Sequence, residues 1–114
     1  MSSALRKEKV FQAIAHPVRR QILEQLMEGE KAASELAAPF DISLPAVSQQ
    51  LNVLKEAGLV SERRVGRQRI YQLHPKPLRE VFEWVGFFEE FWIEKLDALG
   101  EHLRKKHGEP KKQR

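Results

Sequence analysis

Residues 43–73 read SLPAVSQQLNVLKEAGLVSERRVGRQRIYQL, and this stretch decides the fold. Apolar residues in its first half recur at i, i+4 and i+7, a spacing that places them on one face of an α-helix. Its second half contains two short runs that favour β-strands, and Gly66 separates them as a tight hairpin requires. The stretch therefore predicts a helix followed directly by a hairpin. The core-facing residues of the helix are Val47, Leu51 and Leu54.

Both ends of the predicted helix carry boundary signals. Ser43 is a suitable N-cap, because its hydroxyl can accept a hydrogen bond from an N–H group of the first turn. Pro45 fits that first turn, where its missing N–H is not needed. Gly58 is suited to end the helix. We therefore predict the helix over 43–57 and the hairpin over 59–74.

Further helices are predicted on both sides of this stretch. Three come before it and one long helix comes after it, followed by a charged tail that we expect to be disordered. The fold class is mainly α with a small β-hairpin wing, in the order α-α-α-α-β-β-α, which is a winged helix-turn-helix. The predicted ranges are 4–15, 17–28, 32–38 and 78–106 for the helices, 1–107 for the domain and 108–114 for the tail.

Composition argues against several classes of protein. The 114 residues are the size of one domain, and the absence of cysteine excludes disulfides and thiolate metal sites. No apolar run is long enough to span a membrane, and the N-terminal residues lack the apolar stretch of a signal peptide, so we expect a cytoplasmic protein without a membrane partner. No Ser-His-Asp set, P-loop or Gly-rich phosphate motif is present. We therefore expect neither an enzyme nor a cofactor.

Basic residues are unevenly distributed along the chain. Lys and Arg number 20 against 16 Asp and Glu, a formal net charge of +4. The last eleven residues hold six basic residues and one Glu, so the remainder of the chain is close to neutral. The overall charge is thus weak evidence for a polyanionic partner. Evidence for such a partner must come from where the basic groups lie in the chain.

The predicted helix and hairpin have the character of a DNA-binding unit. A helix that enters the major groove needs an apolar edge for the core and a small or polar edge for the bases. Arginines on a projecting hairpin suit phosphate contacts or insertion into the minor groove, although a solvated hairpin with incidental charge is the alternative. The outward helix residues are Pro45, Ala46, Ser48, Gln49 and Asn52, and the hairpin arginines are Arg63, Arg64, Arg67 and Arg69.

Three segments resemble the signatures of ArsR/SmtB-type repressors: residues 16–23 (HPVRRQIL), 44–60 and 64–73. In that family the helix after the turn reads the operator, the wing grips flanking DNA and the terminal helices form the dimer. The resemblance implies a dimeric repressor of an inverted-repeat operator in double-stranded DNA, with Gln50 where many members have His. The candidate DNA-binding residues of the helix are Ser43, Leu44, Pro45, Ala46, Ser48, Gln49, Gln50 and Asn52.

The resemblance also bears on metals. Many relatives hold a metal through cysteines at the start of the third helix, but Ala32 and Ser34 occupy the matching positions and cannot act as soft ligands. Paired histidines that other relatives use on the last helix are missing as well, so we expect a branch of the family without a metal site. A hard-cation site on an acidic stripe is the alternative to a solvated face. The stripe comprises Glu83, Glu90, Glu94, Asp97 and Glu101.

Aromatic residues crowd the predicted last helix. Six of the nine lie between Phe82 and Trp92 and spread over more than half of its circumference. One domain surface cannot cover so wide an arc, whereas a partner can cover the far side. We therefore predict a homodimer, with a pocket for a small apolar effector among the rings as the second reading. The predicted interface residues are Phe88, Trp92, Leu96, Leu99 and Leu103.

Two alternative functions follow from the same features. A winged helix could bind a protein partner and have no DNA role, but a docking surface would tend to deplete charge at its centre, where the arginines lie. Activation would begin with the same DNA contact as repression.

Overall fold

The computed structural model describes the backbone of residues 3–97 and the side chains of residues 7–97. The chain divides into two compact units, one of residues 1–81 and one that begins at Phe82. The first unit contains α1 (Ser3–Ala13), α2 (Pro17–Leu26), β1 (Lys31–Ala32), α3 (Ala33–Ala37), α4 (Leu44–Glu56), β2 (Val60–Val65) and β3 (Gln68–Leu73). A 3₁₀ turn (Lys76–Leu78) then leads into α5 (Arg79–Gly86). The predicted fold class is confirmed.

The core of the first unit lies between α2, α3, α4 and the sheet. The predicted inward face of α4 is confirmed, since Val47, Leu51 and Leu54 are completely buried. They pack with residues from every neighbouring element, and no charged side chain among the described residues is buried with them. The other members of this cluster are Ala13, Ile22, Leu23, Leu26, Ala33, Leu36, Leu59, Val60 and Tyr71.

The ends of α4 follow the predicted signals. Ser43 Oγ accepts a hydrogen bond from the backbone N–H of Ala46 at 3.2 Å, which confirms the N-cap. After the helix, Gly58 has a φ of +77°, a left-handed conformation that favours glycine. Leu59 N–H donates to the Leu54 carbonyl at 3.0 Å, which completes a Schellman ending. These caps fix where α4 stops and β2 begins.

The sheet has three antiparallel strands in the order β1-β3-β2. Gly66 in the β2–β3 turn has a φ of +63°, whereas no described non-glycine residue has a positive φ, so the turn matches type II′. The predicted hairpin is confirmed. Strand β1 carries no local signal in the sequence, because its two residues lie in an alanine-rich segment and resemble the start of α3. Its Lys31 and Ala32 pair with Tyr71 and Ile70.

The predicted continuous helix over 78–106 is wrong within the described residues. α5 ends at Gly86, residues 87 and 88 form a turn, and residues 89–97 are helical again. The break follows from glycine's low helix propensity, and the N–H of Phe87 donates to the Trp84 carbonyl, three residues back, at 3.1 Å. The acidic stripe was predicted on the basis of one uninterrupted helix. Because the helix is interrupted between Glu83 and Glu90, the helical spacing no longer places these two side chains on one face. Residues 98–106 and the tail lie outside the described residues.

The ends of the shorter helices differ from the predictions by a few residues. α1 ends at Ala13, two residues before the predicted position, and α2 ends at Leu26, before Gly29. His16 caps α2, because its Nδ1 accepts a hydrogen bond from Val18 N–H at 3.2 Å. Between residues 3 and 97 there is no helix with the length and apolar character that crossing a membrane requires.

Candidate nucleic-acid interface

The solvent-facing side of α4 is a narrow ridge. Pro45, Gln49 and Asn52 are exposed and recur at i, i+4 and i+7, opposite the buried face. Ser43 and Leu44 are also exposed where the helix begins. The ridge therefore contains two amide side chains flanked by small or rigid groups, a shape that can approach base edges. The other three predicted residues, Ala46, Ser48 and Gln50, are half-buried on the flanks.

An arginine of the wing is bonded to one flank of α4. Arg69 Nη2 donates to Ser48 Oγ at 2.7 Å, and Nη1 donates to the Tyr71 hydroxyl at 3.2 Å. The same guanidinium lies 6.0 Å from the centre of the Tyr71 ring. The hydroxyl of Ser48 is therefore already partnered by the wing, and Arg69 connects the two predicted DNA-binding elements.

A salt bridge joins the same two elements further along. Lys55 Nζ lies 2.8 Å from Glu62 Oε1, which connects the last turn of α4 with β2. The hydrogen bond from Lys55 lowers the pKa of Glu62, and the same bond raises the pKa of Lys55. Burial raises the pKa of the nearby Tyr71 hydroxyl. Both charges of the pair are thus present at neutral pH.

This pair predicts a pH-dependent contribution to stability. The pKa of Glu62 is lower in the folded protein, so its contribution is present above its unfolded pKa and is lost as the pH falls through the folded value. Urea unfolding of Glu62→Gln should therefore give a lower midpoint than the wild type at pH 7. The two midpoints should converge as the pH falls through the lowered pKa of Glu62. The matched control is Glu24→Gln, an exposed carboxylate of α2, and an equal pH trend in the control would contradict the role of Glu62.

A second arginine is bonded to the opposite flank of α4. Arg19 Nη1 donates to Gln50 Oε1 at 2.5 Å. Its Nε donates to the Ala13 carbonyl at 2.7 Å and its Nη2 to the Gln12 carbonyl at 2.9 Å. These carbonyls lie at the C-terminal end of α1, where helix acceptors lack intrahelical partners. Arg19 therefore connects α1 and α2 with α4.

The four wing arginines occupy three different environments. Residues paired across antiparallel strands share a face of the sheet, and Arg64 pairs with Arg69. Arg63 pairs with Ile70, so it lies on the other face, and its Nη2 forms a salt bridge with Glu30. Arg67 is exposed in the turn itself. The sequence suggests one basic loop, whereas the structure separates its arginines.

Several residues of this site were not found from the sequence. Arg19, Glu30, Lys55 and Glu62 each hold a predicted DNA-contact residue or join α4 to the wing. A basic residue shortly after a helix end is a signal for bonding to the last carbonyls, so the contact of Arg19 with α1 could have been predicted. Its contact with Gln50, which lies 31 residues away, has no local signal.

The second unit presents the residues that were predicted to form a dimer. Phe88, Trp92 and Leu96 are all exposed, whereas Leu99 and Leu103 lie outside the described residues. Trp84 and Phe88 meet edge to face with their ring centres 5.2 Å apart. An open groove of about 400 Å³ runs along this unit. Its apolar lining residues are Phe82, Val85, Trp92, Ile93 and Leu96.

The described residues give no support to a metal site. Between residues 7 and 97, no three His, Asp or Glu side chains are grouped so that they could hold an ion. Glu101, the last member of the predicted acidic stripe, lies outside the described residues.

Known proteins resemble this chain in sequence over most of its length. Residues 16–62 match the family model described as "Bacterial regulatory protein, arsR family". The HTH-type transcriptional regulator Rv2034 of Mycobacterium tuberculosis is 46% identical over 101 residues, which cover 89% of this chain and 92% of that protein. The transcriptional repressor SdpR of Bacillus subtilis is 40% identical over 76 residues, covering 67% and 84% of the two chains.

Solved structures resemble the fold as well. A crystal structure of an ArsR family transcriptional regulator superimposes with a TM-score of 0.73 and 32% identity, covering 80% of this chain and 94% of the other. The transcriptional repressor BigR of Xylella fastidiosa gives a TM-score of 0.56 and 35% identity, covering 71% and 84%.

Proposed function

Because this chain belongs to the ArsR family of bacterial regulatory proteins and is a DNA-binding transcriptional repressor, we propose that it binds an inverted-repeat operator as a homodimer. The two α4 helices of a two-fold dimer would enter successive major grooves of one DNA face. The observation that carries this proposal is the exposed ridge of Pro45, Gln49 and Asn52, held between two arginine contacts. A module that only binds proteins is not favoured.

Residues of the ridge would read the bases. Gln49 is exposed and its amide can both accept and donate, which allows bidentate pairing with adenine. Asn52 offers the same chemistry one turn further along. Ser43 and Leu44 would approach the DNA where α4 begins. We assign Ala46 and Ser48 to close packing against the groove, because both are half-buried beside the ridge.

Arginines of the wing would contribute affinity more than sequence preference. A guanidinium pairs well with phosphate, and each phosphate neutralised adds about 0.9 to the slope of log K against log salt. Arg67 is the most suitable, since it is exposed at the turn. Arg64 is exposed on the α4-facing side, and Arg69 lies beside it. We expect a smaller contribution from Arg63, because Glu30 already neutralises it.

Arg67→Ala should weaken binding to operator and random duplex DNA equally. The slope of log K against log salt concentration should be smaller in magnitude by about 0.9 for each wing that contacts phosphate. Fluorescence anisotropy with a labelled duplex, titrated at several salt concentrations, measures this slope. Arg63→Ala is the matched control and should leave the slope nearly unchanged. Equal slopes for wild type and Arg67→Ala would exclude a phosphate contact, and failure of the wild type to bind any duplex would overturn the proposed function.

The second unit would supply the dimer interface. Large apolar side chains that remain exposed in one chain are unfavourable in water, and a second copy can cover them. We assign Phe88, Trp92 and Leu96 to that interface, together with Leu99 and Leu103, within one DNA-binding and dimerisation domain of residues 1–107. A small apolar effector in the groove along the same unit is the alternative to a second copy, because Trp92 and Leu96 line that groove. The protein would act in the cytoplasm, where the chromosome of a bacterial cell lies.

A further inference from the structure

The two neighbouring glutamines of α4 have different environments. Gln49 is exposed on the ridge, and the structure gives its amide no bonded partner within the described residues. Gln50 is half-buried on the flank, and its Oε1 accepts a hydrogen bond from Arg19 Nη1. The same side-chain chemistry is therefore free at one position and constrained at the next.

We propose that Arg19 fixes Gln50 as a hydrogen-bond donor toward DNA, so that Gln50 selects guanine over adenine in the operator. A guanidinium has five N–H donors and no acceptor. The amide atom that faces it must therefore be the oxygen, which settles an orientation that the amide shape alone leaves open. The Nε2 group of Gln50, with two N–H donors, is left for an external partner.

Arg19 is itself held in place, which makes this constraint firm. Its Nε and Nη2 donate to the carbonyls of Ala13 and Gln12 at the end of α1. Turning the guanidinium away from Gln50 would break these bonds and leave helix-end carbonyls without their partner. Turning the Gln50 amide would bring its NH₂ group against another donor. Both movements are unfavourable, so the donor orientation is set before DNA arrives.

Base preference follows from the donor orientation. In the major groove guanine presents two adjacent acceptors, O6 and N7, whereas adenine presents the N7 acceptor beside the N6 donor. Bidentate pairing of an amide with adenine needs the amide oxygen to accept from the N6 donor. In Gln50 one of the two lone pairs of that oxygen already accepts from Arg19, and the positive charge of Arg19 beside it disfavours a second donor group there. The NH₂ group of Gln50 donates without this conflict, so the side chain gains more from the two acceptors of guanine. Gln49 retains both functions and is not subject to this restriction.

This inference rests on the proposed function, and one selection experiment tests both. Duplexes that the full-length protein binds would be enriched from a random library and sequenced for the wild type, Arg19→Met and Gln50→Ala. We expect one position in each half-site where the wild type prefers guanine over adenine by about tenfold, the lower range for one base contact. Gln50→Ala should lose that preference, and Arg19→Met should admit adenine, because its apolar side chain lets the amide turn.

Two matched controls separate this effect from general damage. Arg20 Nη1 donates to the Ile14 carbonyl at 2.9 Å, beside the same helix end but without contacting Gln50. Arg20→Met should therefore keep the guanine preference. Gln49→Ala should change a different position of the half-site. Circular dichroism before selection identifies any variant that fails to fold.

Gln50→Glu keeps the test decisive if Arg19→Met does not fold. Glutamate still offers an oxygen to Arg19 but replaces the donor NH₂ by a second acceptor, which favours the cytosine N4 donor over guanine. We expect the preferred base at that position to change accordingly. An unchanged guanine preference in the folded Arg19→Met variant, or uniform weakening by Gln50→Ala without a change of base, would overturn the inference. A wild type that enriches no sequence would instead contradict the proposed function.

Discussion

Replacement of Trp92 by Ala is expected to convert the proposed dimer into monomers at micromolar concentration. Trp92 is 42% exposed in the single chain, so a partner has a large apolar area left to cover. Truncating a buried Trp costs about 3–5 kcal/mol. A loss of about 3 kcal/mol in each of two subunits corresponds to a dimer dissociation constant roughly 10⁴-fold higher. Operator affinity should fall with it, because a monomer presents only one α4 helix.

Sedimentation equilibrium over a range of protein concentrations measures the dimer constant directly. Met27→Ala provides a matched control, since Met27 is 74% exposed but lies in the first unit, after α2. That variant should remain dimeric. A wild type that sediments as a monomer at micromolar concentration would remove the dimer from the proposal. A dimeric Trp92→Ala would place the interface elsewhere.

Replacement of Leu51 by Ala is expected to destabilise the fold by about 2–5 kcal/mol, the range for truncating a buried leucine. Leu51 is completely buried in α4, within the cluster that joins α2, α3 and β3. The substitution removes apolar contacts on several sides and leaves a cavity that α4 cannot close without moving. A domain of this size has only about 5–15 kcal/mol of total stability. The variant should therefore populate unfolded protein at moderate temperature.

Urea unfolding at one fixed protein concentration gives the change in free energy. The concentration must be fixed because dimerisation contributes to apparent stability. Val53→Ala is the matched control on the same helix, since its side chain is exposed and the change should stay within about 0.5 kcal/mol. Equal losses in the two variants would contradict the role of core packing at Leu51, because Ala has a higher helix propensity than either Leu or Val.

The sequence by itself determined helix α4 and the hairpin that follows it. The apolar spacing of Val47, Leu51 and Leu54 predicted the buried face of α4, and Ser43 and Gly58 predicted its ends. These predictions were confirmed because they depend on local geometry. A helix period, an N-cap hydroxyl and a left-handed glycine each act within a few residues of the chain. The hairpin was confirmed for the same reason.

Two segments have structures that their local sequence preferences do not predict. The aromatic segment has the spacing of a long helix, but Gly86 weakens it and the chain turns at residues 87 and 88. Strand β1 exists only because its two residues meet β3. Neither its length nor its composition identifies a strand without that partner.

Only the tertiary structure decided how the candidate DNA-binding side chains are held. The partners of Gln50, Ser48 and Arg63 lie 31, 21 and 33 residues away in the chain. Strand alternation then places Arg63 on the opposite face of the hairpin from Arg64. No periodicity in the sequence indicates these distant hydrogen-bonded pairs, because helix packing and strand register bring their side chains together. The sequence thus predicted which elements approach DNA, whereas the fold determined which of their polar atoms remain available to bind it.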